Sequence, residues 1–294
     1  LALFPSWLQR LPKSGGWMNT VKVTMGLIEI GASLKFFSVA DLALNPRPIV
    51  FDYALVMTGW VVIAFCTGLY LLGMFRTNHD TPVEGISAVR LAFAITFLSL
   101  AGYLFVGLVA AEPPEGRVWE NIAAFAPPRL QGGDDPDLGP YVEHGGLRFA
   151  LDRHAAVRYA QQVGKPLLFD FTGVNCVNCR LMEARMAEPD VRKRLERFVL
   201  VQLYTDNVPE VRDRQRVAAL LEDNKRLQEE WFGNVSLPSY VIVAPDGQTR
   251  LATFVGLERR DGEFAEFLDR GWTAWQRLAG ESSAGGRQTA MGRG

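Results

Sequence analysis

The sequence predicts an α/β domain preceded by an all-α segment of three transmembrane helices. The 48% hydrophobic residues are concentrated, with two charge-free apolar runs, 53–75 and 91–111, before residue 112. A stretch rich in Pro and Gly follows, and beyond it apolar periodicities of strands and helices alternate up to about residue 279.

Each charge-free run meets the roughly 20-residue length needed to cross a bilayer. Helices are expected at about 51–75 and 89–111. A third is expected at about 20–40, where Lys22, Glu29 and Lys35 interrupt the apolar pattern. Lys22 sits at an end and can snorkel, whereas Glu29, near the middle, needs a protein-lined or watery side. Together 1–111 read as a partial transmembrane domain. Arg10, Lys13 and Lys22 precede or open the first helix, Arg76 and Arg90 flank the second loop, and the loop at 41–50 holds only Arg47. This bias puts the amino terminus and the 76–90 loop in the cytoplasm and everything after residue 111 outside, in a bacterial periplasm. Net charge is −1, and no aromatic-interleaved basic face is visible, which argues against nucleic acid as a partner. An apolar start at Leu1, without a signal-peptide pattern, reads as that of a fragment or processed piece.

Residues 112–146 hold six Pro and six Gly and are expected to be an extended linker. From 147 to 279 a separate domain is expected: a strand at LRFA, a helix capped by Asp152, a buried strand at KPLLFDFTG and a helix from Cys176 to about Met186. A helix capped by Asp190, a strand at FVLVQLYTD, helical pattern over 208–232, a hairpin of LPSYVIV and RLATFVG around a PDG turn, and a helix to about Leu278 complete it. This order is that of a thioredoxin fold. The 280–294 tail reads as disordered.

The chemistry lies in FDFTGVNCVNCRLMEARM, residues 169–186. A C-x-x-C at a strand-to-helix junction puts Cys176 at a helix amino terminus, where free amides and the helix dipole favour a thiolate. Cys179, nearly one turn further on, can attack a mixed disulfide formed at Cys176 and release reduced substrate. Other readings of the pair are half of a zinc site and a purely structural disulfide. The first lacks a second Cys pair, and His79, His144 and His154 show no ligand spacing. The second closes a ring too short to stabilise much. Haem attachment fails because Arg180 follows the pair. No metal and no cofactor beyond the cysteine pair are expected. Cys66 reads as a packing residue. Asp170, in an apolar strand, would raise the thiol pKa by repulsion or accept its proton if it faces inward. Glu183, four residues after Cys179, shares its helical side or is a solvated surface acid. Pro238 starts the strand expected to face the cysteines. A cis bond there would expose the backbone of Leu237 to a substrate peptide, and a trans strand-start proline is the alternative.

Together these residues resemble the thiol:disulfide interchange protein DsbD family. LPKSGGWMNTVKVTMGLIEI (11–30) is similar to the approach to the sixth of that family's eight membrane helices. The likeness runs on through KPLLFDFTGVNCVNCRLMEA and LPSYVIV, covering nearly all of 8–275, with 112–146 and 205–232 matching loosely. It implies a protein-disulfide reductase in the bacterial inner membrane, multi-pass, with its C-terminal domain in the periplasm. Electrons from cytoplasmic thioredoxin would pass through upstream membrane and N-terminal domains of the same protein. They would reach oxidised periplasmic thiol-disulfide proteins, among them disulfide isomerases and cytochrome c maturation factors. By motif position Cys176 and Cys179 match the family's active pair, Asp170 and Glu183 the acids that tune it, and Pro238 the cis-proline. Asn175 replaces the family's frequent Trp, and Val177 and Asn178 differ from the commonest inner pair. The family's membrane cysteine pair would precede Leu1, so this stretch alone would lack transmembrane electron transfer. A non-catalytic client-binding module and a disulfide oxidase are the alternative functions.

Overall fold

The computed structural model describes residues 16–45, 47–77, 80, 85–110, 113–129 and 131–291. They divide into two compact units, Leu1–Asp41 with Ile49–Trp119, and Leu42–Pro48 with Glu120–Gly294.

The first unit is helical. Helix α1 spans Gly16–Leu44, α2 Tyr53–Leu71 and α3 Ala88–Val109. One carboxylate oxygen of Asp41 accepts the amides of Ile49, Val50 and Phe51, which closes the turn before α2. Asp52 then caps α2 through the Leu55 amide at 2.8 Å, and Ser87 caps α3. Gly68 lets α2 approach α3, because a Cβ there would lie 2.6 Å from Leu98 Cγ and 3.3 Å from the Ala94 carbonyl.

Of the three expected crossings, only α2 and α3 are long and apolar enough to span a membrane among the described residues. The first expected span does form a helix, but Lys22, Glu29, Lys35 and Asp41 punctuate it. Lys35 is buried, whereas Lys22 and Glu29 are exposed. Val62, Phe65, Phe93, Ile95 and Phe105 on α2 and α3 are exposed apolar side chains.

The second unit is α/β. The boundary between the units falls within α4 (Arg117–Phe125), and the elements after it are β1 (Gly132–Asp135), β2 (Gly139–His144), β3 (Leu147–Ala150), α5 (Arg153–Val163), β4 (Leu167–Thr172), α6 (Val177–Met186) and α7 (Pro189–Leu195). They continue with β5 (Val199–Tyr204), α8 (Arg214–Phe232), β6 (Ser239–Val243), β7 (Arg250–Val255) and α9 (Glu263–Met291). The seven strands form one mixed sheet in the order β1-β2-β3-β5-β4-β6-β7. Strand β5 runs parallel to β3 and β4, and the other pairings are antiparallel.

Strand β4 is hydrogen-bonded on both sides and all six of its residues are buried, which explains its unbroken apolar reading apart from Asp170. Leu167, Phe169 and Phe171 pack with Ala156 and Ala160 of α5 and Leu227 of α8. Leu168 faces the other core, with Met182 and Met186 of α6 and Phe264, Phe267 and Leu268 of α9. Burying each of these large side chains contributes roughly 1.5–3 kcal/mol.

Three expectations are corrected here. Residues 112–146, expected to be an extended linker, contain α4, β1 and β2. Their Gly and Pro mark the turns of a hairpin whose short strands continue the sheet, and sheet pairing supplies the partners that a tether would leave to water. Asp190 lies inside α7 and Glu188 occupies its N-cap, because Pro189 fixes the first helical position. Helix α9 continues past Leu278 to Met291, through residues expected to be disordered. A helix already nucleated by core packing propagates without the cost of starting a new turn.

Gly271 of α9 lies against β6, where an added Cβ would be 3.0 Å from Ile242 Cβ and 3.1 Å from its Cγ1. Gly280 has nothing within 4 Å. In urea unfolding of the whole chain in detergent, Gly271→Val is expected to lose about 1–3 kcal/mol through overpacking. Gly280→Ala is expected to be neutral or to gain up to about 1 kcal/mol.

Candidate active site

Strand β4 delivers the chain to a tight turn, Gly173–Asn175, and then to α6. The carboxylate of Asp206, just past β5, accepts the backbone amides of Val174 at 2.9 Å and Asn175 at 3.1 Å. Gly173 suits this approach, since a Cβ would lie a tight 3.2 Å from Asp206 Oδ2 and 3.3 Å from Cys176 Cβ. Cys176 is the N-cap of α6, and its Sγ accepts the Cys179 amide at 3.2 Å. The sulfur thus sits among the unpaired amides at the positive end of the helix dipole, where negative charge on it is favoured.

Cys176 and Cys179 form a disulfide with Cα atoms 5.3 Å apart. Cys176 is partly exposed, whereas Cys179 is 2% exposed, so an incoming sulfur has access to the first and not the second. Cys66 is free and lies in α2. Among the described residues no group of three or more His, Cys, Asp and Glu is arranged to hold a metal ion.

Asp170 is turned inward, toward the core that α6 covers. It stands opposite Gln202 of β5 and Tyr240 of β6 in the sheet register, so the three share a face. Only 2% of Asp170 is exposed; its Oδ2 accepts from Gln202 Nε2 at 3.2 Å, and its Oδ1 is buried without a hydrogen-bond partner. Burial above all, and then the nearby charge of Glu183, push the Asp170 carboxyl well above the usual carboxylate range, with the Gln202 bond pulling the other way. Tyr204 donates to Gln202 Oε1 at 3.0 Å, which turns the amide nitrogen toward the acids. The Tyr204 and Tyr240 phenols are pushed up by burial first and by the Asp170 and Glu183 charges after it.

Glu183, on α6, is largely buried. Its Oε1 lies 3.5 Å from Gln202 Nε2 and 3.8 Å from His144 Nε2, and its Oε2 lies 3.3 Å from Arg180 Nε. The reading of Glu183 as a solvated surface acid is therefore corrected: one helical turn beyond Cys179, this side points inward. The Leu237–Pro238 bond is cis. Ser239 pairs with Phe171, so Pro238 lies level with the end of β4, next to the turn that leads to Cys176.

The structure thus brings Asp170 and Glu183 together through a single amide, that of Gln202. Gln202, Tyr204, Asp206 and His144 were not singled out by sequence. A polar residue inside the apolar run VLVQLY signals Gln202, while His144 lies in the stretch read as a linker.

A strand, a turn held by a carboxylate and a helix opened by a disulfide define a thioredoxin-like domain, and residues 154–272 match the family model of that description. The longer comparisons extend beyond this domain. The chain is 26% identical over 197 residues to thiol:disulfide interchange protein DsbD 1 of Pseudomonas aeruginosa, covering 65% of this chain and 29% of that protein. It is 26% identical over 254 residues to DsbD of Ralstonia nicotianae, covering 85% and 36%, and 24% identical over 263 residues to DsbD of Neisseria meningitidis serogroup B, covering 88% and 37%. The chain is thus similar to thiol:disulfide interchange proteins DsbD over most of its own length, and it spans 29% to 37% of the length of these curated relatives.

The raised carboxyl of Asp170 gives a stability test with a defined sign. An unfolded Asp ionises near 3.8, whereas the native carboxyl holds its proton to higher pH. The unfolded state therefore sheds protons first, and stability falls as pH rises above about 4 until the native group also ionises. Asp170→Asn is expected to melt with wild type near pH 3 and above it at pH 7–8, as read by thermal unfolding across pH. A gain confined to acid pH would contradict the assignment.

Proposed function

We propose that this chain is a membrane-anchored protein-disulfide reductase that passes electrons by dithiol/disulfide exchange to oxidised periplasmic proteins. The observation that carries the reading is the asymmetry of the cysteine pair: an accessible Cys176 sulfur capping α6 and a buried Cys179, on a helix backed by two linked acids.

In the reduced pair, the Cys176 thiolate attacks a substrate disulfide, forming a mixed disulfide and releasing one substrate thiol. Cys179 then loses its proton, with Asp170 as the acceptor that burial has made basic enough, and attacks Cys176 Sγ. The second substrate thiol leaves and the Cys176–Cys179 disulfide is restored. Two electrons and two protons reach the substrate in all. Leu237 and Pro238, beside the turn, are proposed to hold the substrate backbone.

Similarity to DsbD proteins supports the upstream part of this reading, in which electrons arrive from membrane and N-terminal domains of the same protein. It also supports disulfide isomerases and cytochrome c maturation factors as recipients. A multi-pass location in a bacterial inner membrane is supported by α2 and α3 and by their exposed apolar side chains. We assign α1 as the third crossing, with Glu29 turned to protein or water. Arg76, just past α2, and Arg90, in the first turn of α3, favour a cytoplasmic loop and hence a periplasmic thioredoxin-like domain. In this division the membrane part ends near residue 111 and the sheet domain begins with the β1–β2 hairpin.

The test is dithiol-dependent reduction of a model protein disulfide by the whole chain in detergent. Cys176→Ser is expected to abolish turnover, and Cys179→Ser to accumulate a mixed disulfide visible by mass. Turnover that survives Cys176→Ser would overturn the proposal, and client binding that survives the double serine variant without turnover would identify a binding module. A glutathione titration of the pair separates reductase from oxidase, since a potential near about −120 mV belongs to strong oxidants.

A further inference from the structure

The dithiol site reaches outside the 154–272 segment that matches the thioredoxin-like family model. His144 is the last residue of β2, and it pairs with Leu147 across a two-residue turn. Gly145 and Gly146 have φ of 55° and 74°, the left-handed pair that a tight hairpin turn requires. The turn is seated on the junction of α6 and α7: a Cβ on Gly145 would lie 2.7 Å from Ala187 Cβ, and one on Gly146 3.0 Å from the Arg192 guanidinium. Two glycines therefore let the hairpin settle against the end of the cysteine helix. That brings the imidazole to Glu183.

His144 Nε2 is buried and has no hydrogen-bond partner, and Glu183 Oε1, 3.8 Å away, is its ion-pair partner among the described residues. The groups around it come from every neighbouring element. Glu183 and Arg180 lie on α6, Arg192 on α7 beside the turn, Gln202 on β5, Asp170 on β4 behind Gln202, and the Phe149 ring on β3 with its centroid 5.9 Å from the imidazole. A neutral imidazole leaves Arg180 as the cation in contact with Glu183. A protonated one adds a second positive charge and a donor aimed at Glu183.

We propose that His144 is a positioning residue for the dithiol site: its protonated imidazole holds the Glu183 carboxylate and offsets the negative charge one turn beyond Cys179, so that Cys176 ionises more readily when His144 is charged. The inference rests on the exchange chemistry proposed above, in which Cys176 reacts as a thiolate. It makes the hairpin ahead of the matched domain part of the working site. The reactivity of Cys176 then depends on the charge carried by a residue outside the matched segment.

The experiment measures the rate at which iodoacetamide alkylates Cys176 in the reduced whole chain in detergent, from pH 5 to 9, read by mass on the peptide containing Cys176. Wild type is expected to show, below the thiol's own inflection, a second one that depends on His144. His144→Gln is expected to remove that inflection and slow alkylation at pH 6 by about threefold, equivalent to about half a pKa unit. His144→Lys, which keeps a positive charge, is expected to remove the inflection while keeping the fast rate. Glu183→Gln, which leaves the hairpin intact, is expected to erase the same inflection and provides a second route if a His144 variant does not fold. Profiles of wild-type shape in all folded variants would overturn the proposal, even if their melting temperatures fall. Disulfide reduction assayed on the same samples separates the two readings: turnover with unmoved profiles sinks this inference alone, and a His144-dependent inflection without turnover sinks only the exchange reading.

Discussion

A carboxyl group held in a strand that is covered on both faces and bonded along both edges sets the terms for the rest of the site. Asp170 cannot reach water from β4, because β5 and β6 flank it and the core beneath α6 closes over it. Its polar company has to come from the protein, and the register supplies it from the two neighbouring strands as Gln202 and Tyr240. The amide of Gln202 then ties the strand's acid to Glu183 on the helix, and Tyr204 fixes which way that amide points. A group that would be a stability liability elsewhere is retained where a sulfur must gain and lose a proton nearby. The same strand ends at the turn that Asp206 pins, so the elements that bury the acid also aim Cys176 outward.

The alternation of strands and helices from residue 147 onward could be read from apolar runs and periods, because β4, β5 and β6 are buried throughout and the helices between them bury one side. The cysteine pair was equally plain, since strand, turn and C-x-x-C follow each other directly. The apolar neighbours of Asp170 signal burial but not which core it faces, because β4 is covered on both sides. Gln202 and His144 were less accessible for one shared reason. Their meaning depends on which strand lies next to which, and β3 and β4 both pair with β5 across long stretches of chain. The stretch 112–146 misled because glycine and proline report that a chain turns, not whether the segments between the turns find partners. Hairpin strands of four and six residues are too short to show a period. The first helix differs again: its composition is mixed, so apolarity alone does not decide its surroundings.

The two units meet opposite demands with the same residue types. In α2 and α3, leucines, phenylalanines and isoleucines remain exposed on helices whose backbone groups are bonded internally, an arrangement stable in hydrocarbon. In the sheet unit the same side chains are gathered into two cores on either side of β4. Among the buried polar side chains of the sheet unit, Asp170 and Gln202 are linked to Glu183 of the cysteine helix, whereas Asn224 and Gln228 of α8 donate to the Tyr204 and Ser236 carbonyls.

The hairpin at the start of the sheet also decides how the molecule presents itself to its own kind. Without it, β3 would be the sheet's rim, and its free amides and carbonyls would offer a template on which another copy could add a strand. The added strands shift that rim to Gly132–Asp135, a span of four residues carrying two carboxylates. That rim is short and carries like charges, so it is a poor template for strand addition by another copy.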